Sequence, residues 1–338
     1  MLYFFWFTFY YLMAFTCRIC GNPDKNSVST AREMMFGTRE EFDYAECDSC
    51  GTLQIVEVPA DLGRYYPADY FAFDEGREIE IGADWMRRLA SRFAGKYFLE
   101  GKSKLGEFIV KKKPWIRDHY PVSLTYPPLG LDFDSPILDF GCGWGHLLQT
   151  LHFFGFRDLT GADAFIDEDI FYPTGVKVYK RRLEEIEPAF DLVMLHHSFE
   201  HLPDPLESLR QIHRLVKPGK YCLLRVPVVN FAWEEYSIDW VQLDAPRHLF
   251  LYTEKAMNLL AEKTGFEVES VVYDSGSFQF WGSEQYRQDI PLNDPRTYTG
   301  DISKCLFTQE QMDQWQAQAV QLNAEGRGDQ ACFYLKRK

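Results

Sequence analysis

From Pro136 onward the chain alternates short apolar runs with amphipathic stretches, and this alternation restricts the fold more than any other feature. "PILDF", "LTGAD", "VKVY", "FDLVMLHHS", "YCLLRVP" and "FEVESVVY" have the length and apolar content of strands. "FDLVMLHHS" is apolar for long enough to be covered on both faces. Between these runs, Leu147, Leu148, Leu151 and Phe154 share one helical face, and Gly155 supplies a stop. Leu206, Leu209, Ile212 and Leu215 mark a second helix closed by Pro218-Gly219, and a third spans Thr253 to Thr264 before Gly265. Strands alternating with helices predict an α/β protein with a doubly wound, mostly parallel sheet covered on both faces. Ligands of such sheets sit beyond the carboxyl ends of the strands, near the point where strand order reverses.

Three features fall at predicted strand ends. The first is "LDFGCGWGHLL", which packs Gly141, Gly143 and Gly145 into five positions and lets bare backbone approach a ligand. A nicotinamide or flavin fingerprint would place its third glycine three positions after the second. Asp139, two positions ahead of the first glycine, is ill suited to a pyrophosphate and suits a cationic ligand. No Gly-Lys-Ser/Thr for a nucleoside triphosphate follows. The second feature is Asp163, 18 residues after Gly145, placed to hydrogen-bond ribose hydroxyls. A ligand with ribose, adenine and a cationic amino-acid end, but no phosphate, is S-adenosylmethionine. The third feature is the pair His196 and His197 after the fourth strand.

Taken together, these segments resemble the class I S-adenosylmethionine-dependent methyltransferases, whose sheet is Rossmann-like. "ILDFGCGWG" is similar to their first motif and "LTGADA" to the acidic strand end after it. "FDLVMLHHSFEHLPDP" resembles their fourth strand with its Glu-His-Leu continuation, and "LVKPGKYCLLRVP" the fifth. "DAPRHLFLYT" followed by "TGFEVESV" looks like one broad subgroup, and the resemblance covers roughly residues 135 to 275. It implies a cofactor held by Asp139, Gly141, Gly143, Gly145, Asp163 and His196, with Leu183, beside Arg182, bordering the adenine. Methyl transfer needs an in-line approach, and a base only where the acceptor loses a proton. His197 and His248, the latter in "PRHL", are the expected catalytic pair, although each can instead be structural. His201, one turn further along with Glu200, is expected to buttress its helix. Tyr236, Trp240 and Tyr252 either line an acceptor site or pack the core, and Cys142 and Cys222 read as small core residues.

Four of the eight cysteines form two near-identical knuckles, Cys17-Arg-Ile-Cys20-Gly21 and Cys47-Asp-Ser-Cys50-Gly51, separated by 26 residues. Each knuckle aims two thiolates at one point, and together they supply the four soft ligands that suit a closed, structural zinc site. Paired redox thiols are the alternative. The polar stretch from Asn22 to Glu41 is expected to form a hairpin tip within a zinc ribbon over residues 15–60. With that ribbon in front, the chain resembles zinc-binding methyltransferases of sugar and natural-product pathways, including sugar C-methyltransferases.

The remaining chain is less specific. Its formal charge of -14 argues against nucleic acid or an anionic membrane as the main partner. Residues 1–14 are apolar and aromatic but short of the roughly 20 that cross a membrane, and Met13 suggests a start near "MAFTCRIC". Residues 61–130 are expected to form an aromatic and helical linker or lid, including "DLGRYYPADYFAF" and a helical stripe of Ile81, Trp85, Met86, Leu89 and Phe93. The methyltransferase domain is expected over 131–338, with an insertion near 276–328 that contains a helix from Thr308 to Glu325. The leading expectation is a cytoplasmic enzyme methylating carbon or oxygen of a small polar metabolite, a nucleotide-linked sugar or related carbohydrate. An inactive cofactor-binding scaffold and a methyltransferase for a peptide or protein acceptor are the alternatives.

Overall fold

The computed structural model describes residues 15–66 and 85–338, apart from 102 and 188. The first part carries strands β1 (Ser27–Arg32), β2 (Glu41–Glu46) and β3 (Leu53–Ile55). Helices α1 (Trp85–Glu100), α2 (Lys104–Lys112) and α3 (Pro114–His119) follow. Then come β4 (Ile137–Phe140), α4 (His146–Phe154), β5 (Leu159–Ala162), β6 (Ile170–Phe171), β7 (Lys177–Tyr179) and β8 (Phe190–His196). The chain continues through α5 (Pro205–Leu215), β9 (Val216–Pro227), α6 (Phe231–Tyr236), β10 (Phe250–Leu251), α7 (Glu254–Thr264) and β11 (Phe266–Tyr273). It closes with α8 (Phe278–Arg287), α9 (Gln309–Ala324) and β12 (Gln330–Arg337). No helix among the described residues is long and apolar enough to cross a membrane.

The main sheet runs β11-β12-β9-β8-β4-β5-β7-β6. Its centre is parallel, while β12 lies antiparallel to both β9 and β11, and β6 antiparallel to β7. Period-two alternation sorts each strand onto two faces. Leu138, Phe140, Val193, Leu195, Cys222 and Leu224 join one core with Leu209 and Ile212 of α5 and Leu260 of α7. Ile137, Leu192, Met194, Tyr221 and Leu223 join the other with Leu148, Leu151 and Phe154 of α4. Consecutive connections from β4 lead one way to β5, whereas β8 lies on the other side, so the sheet order reverses between β4 and β8. That crevice is where such a sheet takes a ligand.

The cysteine-bearing segment does not stand apart. β10 pairs with β3 and completes a four-stranded sheet, β1-β2-β3-β10. Cys17, Ile19, Tyr44, Leu53 and Ile55 belong to the same core cluster as Leu138 and Phe250. Arg18 stacks over the Phe250 ring at 4.4 Å, and the Thr253 hydroxyl donates to the Cys50 carbonyl at 2.6 Å. The polar stretch expected as the hairpin tip contains β1, whose outward face is solvated, so the tip shrinks to residues 33–40. The insertion grips that tip: Leu292 and Asn293 N–H donate to the Met34 and Met35 carbonyls at 2.8 and 2.9 Å.

The helix expected from the apolar stripe forms as α1, but the stripe is not the face that packs. Trp85, Met86 and Leu89 are exposed, and the helix buries Ser91, Ala94 and Gly95 instead. The small face wins because it lets α1 close on α4: a Cβ on Gly95 would lie 2.3 Å from the Phe154 carbonyl oxygen. Ile81, residues 1–14 and the part of the aromatic stretch from residue 67 lie outside the described residues.

Candidate active site

The glycine loop follows β4 directly. Gly141, Gly143 and Gly145 all have positive φ, and the loop crosses close beneath the segment after β8. At Gly141 (φ 74°) an added Cβ would lie 2.5 Å from Ser198 Cβ, so only glycine fits the crossing. Ser198 in turn donates its hydroxyl to the Phe140 carbonyl at 3.0 Å. Asp163 holds the loop from the end of β5. Its carboxylate accepts from Gly143 N–H at 2.9 Å and from Phe165 N–H at 2.8 Å. Sequence reasoning assigned Asp163 to ribose hydroxyls; in the fold its visible role is to fix the loop, with lone pairs remaining on both oxygens.

Asp139, at the end of β4, is strongly perturbed. It is 3 % exposed, and burial together with the nearby Asp163 pushes its pKa up to about 8. No cation pairs with it among the described residues. A ligand bringing an ammonium and a sulfonium would remove the cost of ionising Asp139, so the donor set fits S-adenosylmethionine. When bound, that cofactor supplies an electrophilic methyl group. His196 lies at the end of β8 with a buried Nε2 that has no hydrogen-bond partner. Burial and the neighbouring Arg225 depress it to about 3, which keeps it neutral. Leu183 is buried in the turn Leu183–Glu185, where its carbonyl accepts from Arg214. A cavity of about 180 Å³ lies elsewhere, between the end of α1 and residues 124–131, and no candidate residue lines it.

Directly after β8, His197 adopts a left-handed backbone (φ 50°) and turns the chain into the 3-10 turn Phe199–His201. Strained backbone of this kind gathers at functional sites. The turn delivers Glu200, which is wholly buried, between imidazoles. His197 Nδ1 lies 3.4 Å and His248 Nε2 3.9 Å from Glu200 Oε1. Burial raises Glu200, but the contact with His197 and the imidazoles of His201 and His248 outweigh it and hold the carboxyl at about 2. His248 is lowered as well, to about 4, chiefly by burial and then by His201. At neutral pH an ionised carboxylate therefore faces a neutral His248.

The expected catalytic pair thus meets at one carboxylate, and its two members differ. His197 is partly exposed, and its Nε2 accepts from Arg225 at 2.8 Å. His248 is buried, with Nδ1 held by the Gln242 carbonyl at 2.7 Å. Trp240 and Tyr252 are fully buried and Tyr236 nearly so, which places all three in the core; Tyr252 stacks on Phe199 at 5.2 Å. Sequence reasoning underrated Glu200, and it passed over Arg247 and Glu33. Arg247 is fully buried and pairs with Asp244 at 2.6 Å and Glu33 at 3.0 Å, tying the hairpin tip to the loop that carries His248. The available signal was a charged residue inside an apolar frame, as in "SFEHL" and "APRHL".

The four knuckle cysteines also converge. Their sulfurs all lie within 4.8 Å of one another, with Cys17–Cys50 at 3.6 Å and Cys20–Cys47 at 3.4 Å. The backbone N–H groups of Ile19 and Cys20 point at Cys17 Sγ, that of Cys50 at Cys47 Sγ, and the Gln54 amide donates to Cys17 Sγ at 2.9 Å. Such hydrogen bonds stabilise thiolates, and four thiolates in this arrangement fit one tetrahedral metal ion.

Residues 86–271 match the family described as Methyltransferase domain. The chain belongs to this methyltransferase family. Over 93 residues the methyltransferase is 33% identical to the ubiquinone biosynthesis O-methyltransferase of Pseudomonas syringae pv. tomato, which covers 25% of this chain and 40% of the relative. The corresponding enzyme of Pseudomonas aeruginosa is 35% identical over 94 residues, with the same coverage. The chain therefore spans about 40% of the length of these curated relatives. Among solved structures it is similar to the cyclopropane synthase MmaA2 of Mycobacterium tuberculosis, at 14% identity and TM-score 0.39, over 76% of this chain and 99% of that one. A second is an S-adenosylmethionine-dependent methyltransferase of Mesorhizobium loti, at 16% identity and TM-score 0.37, over 66% of this chain and 96% of that one.

Proposed function

We propose that this methyltransferase moves a methyl group from S-adenosylmethionine to a small polar metabolite, a nucleotide-linked sugar or related carbohydrate. The observation that carries the donor is the buried, unpaired Asp139 beneath the glycine loop, beside Asp163. In this reading Asp139, Gly141, Gly143, Gly145, Asp163, Leu183 and His196 form the donor site. His197 is the base. Arg225 donates to its Nε2, which leaves the hydrogen on Nδ1, the nitrogen that lies 3.4 Å from Glu200 Oε1. An acceptor O–H or acidic C–H that displaces the Arg225 hydrogen bond gives its proton to Nε2. Glu200 then stabilises the imidazolium, as the carboxylate of a catalytic triad does. His248 acts through Glu200, since burial keeps it away from the acceptor.

The carbohydrate acceptor is supported by the resemblance to sugar methyltransferases with a front zinc ribbon, and by a charge of -14 that disfavours nucleic acid. The O-methylation named for the Pseudomonas relatives supports a hydroxyl as the atom methylated. Cys17, Cys20, Cys47 and Cys50 hold a structural zinc in this reading, and eight free cysteines suit the reducing cytoplasm. The test is transfer of label from methyl-labelled donor to a panel of nucleotide sugars, with donor binding followed by calorimetry. Transfer to at least one member, abolished in His197→Ala while donor binding persists, is the expected result. Donor binding with no transfer overturns the acceptor class, and no binding by folded protein overturns the whole reading.

A further inference from the structure

Beside the expected base lies a second group with the composition of a metal site. Glu200, His201 and His248 each offer one ligand atom, and these atoms all lie within 4.8 Å of one another. Glu200 and His201 come from the turn after β8 and His248 from the loop before β10, so the tertiary fold assembles the set. The imidazole tautomers are already set for ligation. His248 Nδ1 lies 2.7 Å from the Gln242 carbonyl, and His201 Nδ1 lies 2.8 Å from the Arg247 carbonyl. A carbonyl only accepts, so each Nδ1 carries the hydrogen and each Nε2 keeps its lone pair. The Tyr66 oxygen, 3.1 Å from His201 Nδ1, then shares that same N–H as an acceptor. Metal-bound histidines hold their second nitrogen in this way.

The carboxylate supplies an independent observation. Glu200 is wholly inaccessible, and neither of its oxygens has a hydrogen-bond partner. The 3.4 Å approach of His197 Nδ1 is an ion-pair distance without hydrogen-bond geometry. Charge points the same way. Among the described residues, Glu33 and Glu200 are buried and Asp244 nearly so, and Arg247 pairs with Glu33 and Asp244 but not with Glu200. Among the described residues no Lys or Arg stands within ion-pair distance of Glu200, which is approached only by the imidazoles of His197 and His248. Buried charge without a partner is strongly disfavoured, and one divalent cation restores the balance.

We propose that Glu200, His201 and His248 bind one divalent transition-metal ion, distinct from any ion held by the cysteines. Two imidazoles and a carboxylate suit zinc or iron(II) rather than magnesium or calcium. Ligand atoms around such an ion stand about 3.4 Å apart, so the 3.9 Å between Glu200 Oε1 and His248 Nε2 closes with a small movement. Three protein ligands leave a coordination position open. Tyr66, with its ring 6.1 Å from that of His201, flanks the group, and Phe165 stacks on Tyr66 at 6.5 Å. Phe165 is also the residue whose N–H binds Asp163, so the group lies on the Asp163 side of the crevice.

The test reads metal content and is independent of methyl transfer, so its failure leaves the proposed function untouched. Full-length protein is equilibrated with Co²⁺, and bound metal is counted beside the thiolate-to-cobalt absorption that reports the cysteine site. Wild-type protein is expected to hold about one ion per chain more than His201→Gln or Glu200→Gln, with the thiolate band unchanged in both variants. Equal metal content in wild type and variants overturns the proposal. A measurement that needs no variant is the anomalous scattering of a Co²⁺-soaked crystal. A peak among Glu200, His201 and His248 supports the site, and the absence of one there, with cobalt seen at the cysteines, overturns it.

Discussion

Lowering the pH will weaken donor binding in step with the protonation of Asp139. In the free protein this carboxyl is buried against Asp163, with its pKa pushed up to about 8. A donor carrying an ammonium and a sulfonium binds the ionised form, so binding at lower pH must expel a proton. One pKa unit corresponds to about 1.36 kcal/mol, or tenfold in an equilibrium constant. The dissociation constant should therefore rise roughly tenfold from pH 7 to pH 6, and only about threefold from pH 8 to pH 7, because at pH 8 half the sites are already ionised and about half of the donor's amine has lost its proton. Above about pH 8 the donor's own amine loses its proton, so affinity is greatest near that point. Calorimetry at pH 6.5 in two buffers of different ionisation enthalpy should show about one proton released per donor bound. Asp139→Asn should abolish both the release and the slope. The linkage has a stability counterpart. The folded pKa lies above the unfolded one, so the stability contribution is fully present below the ordinary Asp value of 3.8 and is lost as pH rises to about 8. Wild-type protein that binds the donor at pH 6.5 without releasing a proton would refute the assignment of Asp139 as its acidic partner.

Other perturbations test neighbouring parts of the site. Gly141→Ala forces a Cβ to 2.5 Å from Ser198 Cβ at φ 74°, and should weaken donor binding by about tenfold or more, a loss of roughly 1.4 kcal/mol readable by titration. Arg247→Met leaves Glu33 and Asp244 buried without their cation and should cost about 3–5 kcal/mol in urea denaturation; a loss under about 1 kcal/mol contradicts the pairing seen here. His197→Ala should lower kcat by about 10²–10⁴-fold with donor affinity nearly unchanged, whereas an equal fall in affinity would mark it as a donor ligand instead. Chelation should lower the melting temperature, because β3 beside the knuckles pairs with β10 in the main body. An unchanged melting curve after verified metal removal argues against a structural ion.

The parts of this protein legible from sequence are those written in local spacing. Apolar runs of strand length, helical repeats such as Leu209 and Ile212, and the glycine spacing of the loop depend only on residues near one another in the chain. They placed β4, β5, β8, β9 and β11 and the strand-end positions of Asp163 and His197. The two cysteine knuckles are equally local, while their convergence, with all four sulfurs within 4.8 Å of one another, is set by the fold. Where local pattern misled, a competing contact explains it. The stripe of Trp85, Met86 and Leu89 has helical spacing, yet α1 turns its small residues inward because α4 offers a surface that only a small face can approach.

The chemistry of the site was decided elsewhere. Nothing near Asp139 in sequence tells that its carboxyl resists ionisation; that comes from burial and from Asp163, delivered by the next strand. Glu200 reads as one residue of a turn until His248 and the Arg247 network close over it from a distant loop. The cysteine segment reads as separable in sequence and becomes continuous with the core only once β10 joins its sheet. Sequence determined the backbone elements and the residue types at the strand ends, because hydrophobic periodicity acts over a few residues. Tertiary structure alone decided which of those residues carry charge, since desolvation and ion pairing depend on what the whole chain packs around them.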